Sequence, residues 1–207
     1  MRSENNCQYH MAKLGIFYCV DKDLEYEVEE IKSFFATKSE KNKYLNHLVH
    51  STLYVFNIDP NKIEDASRVF ELLRGSLSPV TSNIHSWKIF ENDILTQLNT
   101  LCLEIELTDE LKALQFKVVE LLSKFHLQSI NNNFEGVLEI SNNQYGYPFV
   151  GSHWVPHITI GSLDVTCEEI SLYSKDLINF PRKLIIDNLG LYKIEGDTHQ
   201  LIKKIKF

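Results

Sequence analysis

His50-Ser51-Thr52-Leu53 and His157-Ile158-Thr159-Ile160 are one tetrad written twice: histidine, any residue, threonine, aliphatic. In an extended chain alternate side chains share a face, so each copy presents an imidazole beside a hydroxyl while Leu53 and Ile160 point the other way. Two such presentations around one anion supply what phosphodiester cleavage needs. One imidazole takes a proton, the other gives one, and the hydroxyls hold the phosphoryl oxygens. The duplication carries the signal. With eight histidines and nine threonines among 207 residues, one tetrad arises by accident in roughly one such chain in ten, and two in fewer than about one in a hundred.

Other chemistries fit less well. His47-x-x-His50 and His153-x-x-x-His157 have the spacing of zinc ligands, but Pro156 and the β-branched residues after His157 deny the helical turn that makes such spacing useful. No glutamate accompanies either pair, so no metal is expected. His47 and His153 are read as solvated neighbours of the site, and His10, His85, His126 and His199 as surface or structural residues. Cys7, Cys19, Cys102 and Cys167 are scattered, which predicts reduced thiols rather than a redox pair. The chain has no Gly-x-Ser-x-Gly elbow, Walker loop or dinucleotide fingerprint, and no cofactor is expected.

The net charge of -7 and a pI near 5.6 argue against broad affinity for duplex nucleic acid, which rests on neutralising many phosphates. A small or terminal phosphate needs only a local cluster of donors. With 43% apolar and 24% charged residues and a mean hydropathy of -0.19, the composition is that of a soluble globular protein. No apolar run approaches the roughly 18 residues of a membrane span, and the opening residues lack a leader pattern. The expectation is a cytoplasmic monomer without membrane contact, with a flexible tail over 1–12 and a single domain over 13–207.

The elements that must position the tetrads follow from periodicity. Leu14 to Val20 reads as a buried strand, and Asp21 to Thr37 as a helix with an acidic first turn. Leu48 to Ile58 is a strand, and Asp59-Pro60 starts a helix that Gly75 stops near Arg74. Ile84 to Leu107 suggests a hairpin, and Thr108 caps a helix to about His126. Gln128 to Ser152 holds the turn-formers Asn131, Asn132, Asn133, Asn142 and Asn143, an ambiguous stretch Phe134 to Ile140 that reads as a short helix or a strand, and an irregular remainder with Gly146, Pro148 and Gly151, a loop suited to a substrate wall. His157 to Leu163 is a strand, Val165 to Asn179 a helix, and Leu184 to Ile194 with Gln200 to Phe207 a closing hairpin. The order implies an α+β fold: two related lobes of mainly antiparallel sheet, helices on their outer faces, and a central cleft.

On the twin tetrads the chain resembles the two-histidine (2H) phosphoesterases, which include the proteins named 2'-5' RNA ligases and the RNA 2',3'-cyclic phosphodiesterases. The resemblance spans Leu14 to the final hairpin and is sharpest in His50 to Phe56 and Tyr145 to Leu163. It implies two pseudo-symmetric lobes around a cleft, His50 and His157 as the acid–base pair, and Thr52 and Thr159 as phosphate-holding hydroxyls. The implied reaction is metal-free cleavage at a ribose 2' position, in a 2',3'-cyclic phosphate, a 2'-5' linkage or a small cyclic nucleotide. Its rate should peak within about a unit or two of the imidazole pKa near 6.5. Which histidine is the base stays open, and so do two other functions: RNA ligation and a nucleotide-binding module without turnover. Tyr54, Phe56, Tyr147, Phe149 and Trp154 lie near the tetrads as candidates to stack a base, with core packing an equal alternative for Tyr54, Phe56, Tyr147 and Phe149. Lys193 is a candidate phosphate contact for which a solvated lysine is the favoured alternative.

Overall fold

Strand β1 (Ala12–Cys19) hands over to helix α1 (Lys22–Ala36) at Asp21, whose carboxylate accepts the Leu24 amide at 2.9 Å and caps the helix. These are the first elements of a computed structural model that describes residues 11–127 and 134–207. A two-residue strand β2 (Asn42–Lys43) precedes β3 (His50–Ile58), and a 3-10 turn opened by Pro60 leads into α2 (Ile63–Glu71). The hairpin β4 (Val80–Phe90) and β5 (Asn99–Ile105) is followed by α3 (Asp109–Leu122), capped by Thr108 as its sequence predicts. Helix α4 (Val137–Tyr145) takes in the second half of the ambiguous stretch and runs through Asn142-Asn143, expected as turn-formers, before Gly146 ends it at φ 70°, a conformation suited to glycine. Strand β6 (His157–Leu163) carries the second tetrad and leads to α5 (Cys167–Ser174), whose first turn is closed by reciprocal bonds between Thr166 and Glu169. The chain closes with β7 (Arg182–Ile186), β8 (Asn188–Glu195) and β9 (Thr198–Lys206). The asparagine turn at 131–133, Cys7, His10 and most of the expected tail lie outside the described residues, and Ala12 already belongs to β1.

The strands form one curled antiparallel sheet in the order β7-β4-β5-β6-β3-β1-β8-β9, with β2 beside β6. It divides naturally at its middle. There β6 and β3, the two tetrad strands, meet through a single residue pair, Ser51 with Ile158. Four strands of that order lie on each side, with β2 a fifth on the β6 side, and helices cover the face away from the histidines. Helices α2 and α3 pack on the β3-β1-β8-β9 half. Helix α1 crosses to the other half, against β6 and the Arg182 end of β7, where Glu27 pairs with Arg182. Leu24, Val28, Ile31 and Phe35 of α1 are buried, each contributing about 1.5–3 kcal/mol, and Phe34 is half-buried beside them.

Two further elements differ from their sequence expectation. Helix α5 is shorter than the stretch to Asn179, ending at Ser174. The run Leu184 to Ile194 is not one strand, because it breaks at Asp187. Its first part pairs with β4 at one margin of the sheet, and its second with β1 and β9 in the other half. One residue spans that distance because the sheet curls, and Tyr18 of β1 seals the junction by donating its hydroxyl to the Ile185 carbonyl at 3.1 Å.

Candidate active site

The single bridge decides how the tetrads meet. Continuing the Ser51–Ile158 register one residue each way sets His50 opposite Thr159 and Thr52 opposite His157, all four on the face away from the helices. Side chains directly opposite in an antiparallel pair have Cβ atoms about 4.5–5.5 Å apart, so two imidazoles and two hydroxyls occupy the corners of one small patch. All four are partly buried.

Each imidazole is held the same way. His50 Nδ1 lies 2.6 Å from the Leu48 carbonyl, and His157 Nδ1 lies 2.7 Å from the Val155 carbonyl. In both cases the acceptor is the carbonyl two residues upstream. A carbonyl can only accept, so Nδ1 carries the proton and Nε2 is the nitrogen left for chemistry.

Immediately after each threonine the strand bulges. Against β1, Thr52 pairs with Phe17 but Tyr54 with Ile16, which leaves Leu53 extra. Against β5, Thr159 pairs with Cys102 but Gly161 with Leu101, which leaves Ile160 extra. A bulge inverts the alternation beyond it. Tyr54 and Phe56, expected beside His50, therefore turn to the helix-covered face and are 0% and 1% exposed, stacked on each other at 4.8 Å. The Tyr54 hydroxyl donates to the Tyr145 carbonyl. Tyr147 and Phe149 join the same aromatic cluster, Tyr147 at 6.0 Å from Tyr54 and 5.6 Å from Phe149. Trp154 is buried and donates its indole N–H to the Thr52 carbonyl at 3.0 Å. Lys193 pairs in register with Leu14, on the face opposite His50, and is held by Glu195 at 2.5 Å. None of these six residues stands among the four tetrad side chains.

Others do. The Phe17 ring lies 4.0 Å from that of His50 and stacks on Tyr192 at 5.2 Å. Both rings lie flat over glycines, for a Cβ on Gly15 would come within 2.4 Å of the Phe17 ring, and one on Gly190 within 2.3 Å of Tyr192. His199 is 5.2 Å from His50, ring to ring, and His47 is 4.8 Å from His199. His47 itself is tied to Asp197 at 3.0 Å and accepts a bond at its carbonyl from the buried Lys32 ammonium. On the other side Glu104 is the register partner of His157, Cys102 that of Thr159, and Phe90 packs edge-on to His157 at 5.3 Å. His199 is thus a neighbour of the site and not a detached surface residue, and His47 is built into the site's wall. Their partners are about 150 residues away in sequence, so no local motif marks them.

Burial pushes both tetrad imidazoles below their ordinary value of 6.5, His50 down to about 3. Beyond burial and the backbone carbonyls the surroundings diverge. His199, Lys32 and His47 push His50 further down, whereas Asp93 and Glu104 push His157 up. His199 is lowered to about 4, first by burial and then by His47. Burial also raises the Cys102 thiol, which sits 3.9 Å from the Thr159 hydroxyl, so it stays protonated. Cys19, Cys102 and Cys167 are all free thiols. Among the described residues no three His, Cys, Asp or Glu side chains converge as metal ligands, and no helix is long and apolar enough to cross a membrane.

No family model matches the sequence, and no curated protein matches it. Solved structures match over nearly their whole length. TT0787 of Thermus thermophilus aligns with a TM-score of 0.64 at 13% identity, covering 94% of this chain and 97% of that one. LigT of E. coli, complexed with NADP+, aligns at 0.54 and 13% over 95% and 98%. The chain has the 2H phosphoesterase fold. Usb1 of Kluyveromyces marxianus shares the 2H fold at a TM-score of 0.52 and 11% identity, over 96% and 99%. The expected bilobal α+β architecture is therefore the observed one.

Proposed function

We propose that this protein is a metal-independent phosphodiesterase acting at a ribose 2' position of a small nucleotide or an RNA terminus. The observation that carries the reading is the Ser51–Ile158 bridge, which sets His50, Thr52, His157 and Thr159 on one face around a common centre. Support for a nucleotide substrate comes from the neighbours, since E. coli LigT has been crystallised with 3'-AMP, ATP, NADP+ and phosphate.

His50 is the general base and His157 the general acid. For a 2',3'-cyclic phosphate, His50 Nε2 takes a proton from water, the water oxygen bonds to phosphorus, and the bond to one ribose oxygen breaks. His157 gives that oxygen its proton, while Thr52 and Thr159 donate hydrogen bonds to the other phosphoryl oxygens as charge gathers there. The assignment follows the charges around each ring. Glu104 and Asp93 near His157 favour its protonated form, whereas Lys32 and the imidazoles of His199 and His47 disfavour a proton on His50. Burial holds both rings below 6.5, and the negative charge of a bound phosphodiester raises them, so the acid gains its proton as substrate binds.

The test offers purified protein, with EDTA present, a nucleoside 2',3'-cyclic phosphate, a 2'-5' dinucleotide and a cyclic dinucleotide. Turnover of at least one substrate is expected, with a loss of about 10²–10⁴-fold in His50→Ala and in His157→Ala. Tight binding without turnover would make the chain a nucleotide-binding module instead. Activity that survives both substitutions would remove the mechanism.

A further inference from the structure

The two imidazoles must act on opposite sides of one phosphorus atom, yet the strands that carry them share only one bridging residue pair. A single bridge is a weak ruler. Catalytic groups need placement to within about 0.5 Å, and an error of about 1 Å can cost 10²-fold in rate.

Two buried side chains reinforce this seam. The indole of Trp154, three residues before His157, donates to the carbonyl of Thr52 at 3.0 Å. Gln115 of α3, fully buried, donates from Nε2 to the Leu53 carbonyl at 3.2 Å and to the Phe149 carbonyl at 2.9 Å, and its Oε1 accepts the Gly151 amide at 3.0 Å. Thr52 and Leu53 are the last two residues of the first tetrad, and Leu53 is the bulged residue that β1 leaves unpaired. Residues 149–154 are the approach to the second tetrad. Four hydrogen bonds from two side chains thus join the segment before His157 to the segment after His50. The amide's orientation is fixed by its partners, because two carbonyls can only accept and a backbone N–H can only donate.

We infer that Trp154 and Gln115 are positioning residues that set the separation and angle of His50 and His157. The inference rests on the paired-histidine reading above. It gives Trp154 a role other than stacking on a nucleobase. It also explains why an amide sits fully buried in the first place, since apolar packing alone would favour a leucine or methionine at that site on α3.

The experiment compares the wild type with Trp154→Phe, Gln115→Met and a packing control, Ile205→Val, which trims a fully buried side chain of β9. Trp154→Phe and Gln115→Met keep apolar bulk and remove the hydrogen bonds. Each folded variant is assayed for kcat and KM on a nucleoside 2',3'-cyclic phosphate, and the amides of Ser51 and Ile158 are followed by hydrogen exchange against those of Gly15 and Leu191 in the β1–β8 ladder. The expected result is a fall in kcat of about 10–100-fold with KM within about 2-fold in the two seam variants. Exchange at Ser51 and Ile158 should quicken by about 10-fold or more, with Gly15 and Leu191 unchanged. Ile205→Val should leave kcat and both bridge amides unaltered. Unchanged exchange at the bridge overturns the inference, and so does retained kcat in a seam variant whose bridge amides have loosened. If the wild type itself turns over none of the substrates, the functional reading fails, while exchange at the bridge still decides whether these two residues hold the seam.

Discussion

His50 and His157 begin their strands alike, each with Nδ1 on the carbonyl two residues back and each two residues from a threonine that precedes a bulge. What surrounds them differs. His50 sits on an aromatic floor among His199, His47 and Lys32, whereas His157 sits beside Glu104 with Asp93 nearby. A duplicated backbone device thus presents the two rings alike, while the outer side chains favour the neutral form of His50 and the protonated form of His157. On the proposed mechanism, that difference gives the reaction its direction.

The largest effect that tests this contrast comes from changing the leaving group. On a substrate whose leaving oxygen needs protonation, alanine at either histidine should cost about 10²–10⁴-fold. On a p-nitrophenyl phosphodiester, whose leaving group departs as a stable anion, His157→Ala should fall by less than about 10-fold while His50→Ala keeps its full loss. Rates on both substrates check this. The opposite pattern would exchange the two roles, and equal losses would abolish the distinction.

A smaller effect lies in the pH profile. Because kcat/KM reports groups in the free enzyme, and both imidazoles are held below 6.5 there, its optimum should lie on the acid side of 6.5. On the proposed mechanism the alkaline limb belongs to His157 losing its proton. Removing a carboxylate that favours the proton, by Glu104→Gln, should move that limb to lower pH by up to about one unit and cut kcat/KM at pH 7 by up to about 10-fold. An unmoved limb would detach Glu104 from the site. The acid limb, set by His50, should stay in place.

The smallest effects are expected on the helix-covered face. Lys193→Ala and Tyr54→Phe should leave kcat/KM within about 2-fold, since neither side chain faces the histidines. Tyr54→Phe should still lower stability by about 0.5–1.5 kcal/mol in urea unfolding, because the buried hydroxyl loses its bond to Tyr145. A large loss of activity in either would bring the far side of the sheet into the reaction.

Much of this was legible in the residues. The tetrads lie on strands as their β-branched neighbours imply, the cap at Thr108 falls where expected, and the two lobes follow from the order of elements. What strict alternation cannot foresee is the extra residue in each tetrad strand. Leu53 looks like any aliphatic strand residue, and only its unpaired place opposite β1 reverses the facing of Tyr54 and Phe56. Trp154 misleads for a related reason: an indole near a motif is equally suited to stacking or to satisfying a buried carbonyl, and the choice depends on a chain segment 102 residues away. His199 and Phe17 reach His50 through pairings set by the whole sheet, so no window of sequence contains them together. Asp187 has no glycine or proline to mark it, yet two strands part company there.

That parting has a consequence for how the molecule is made. Strand β1 gains its second neighbour only when residues 188–194, far along the chain, arrive. Until then its margin is an open row of hydrogen-bonding groups, the kind of surface that invites association between copies. Contacts so distant in sequence also slow folding, because the chain must close a very long loop before they stabilise anything. A nascent chain stopped short of Asn188 would therefore hold both tetrads and lack a finished first lobe.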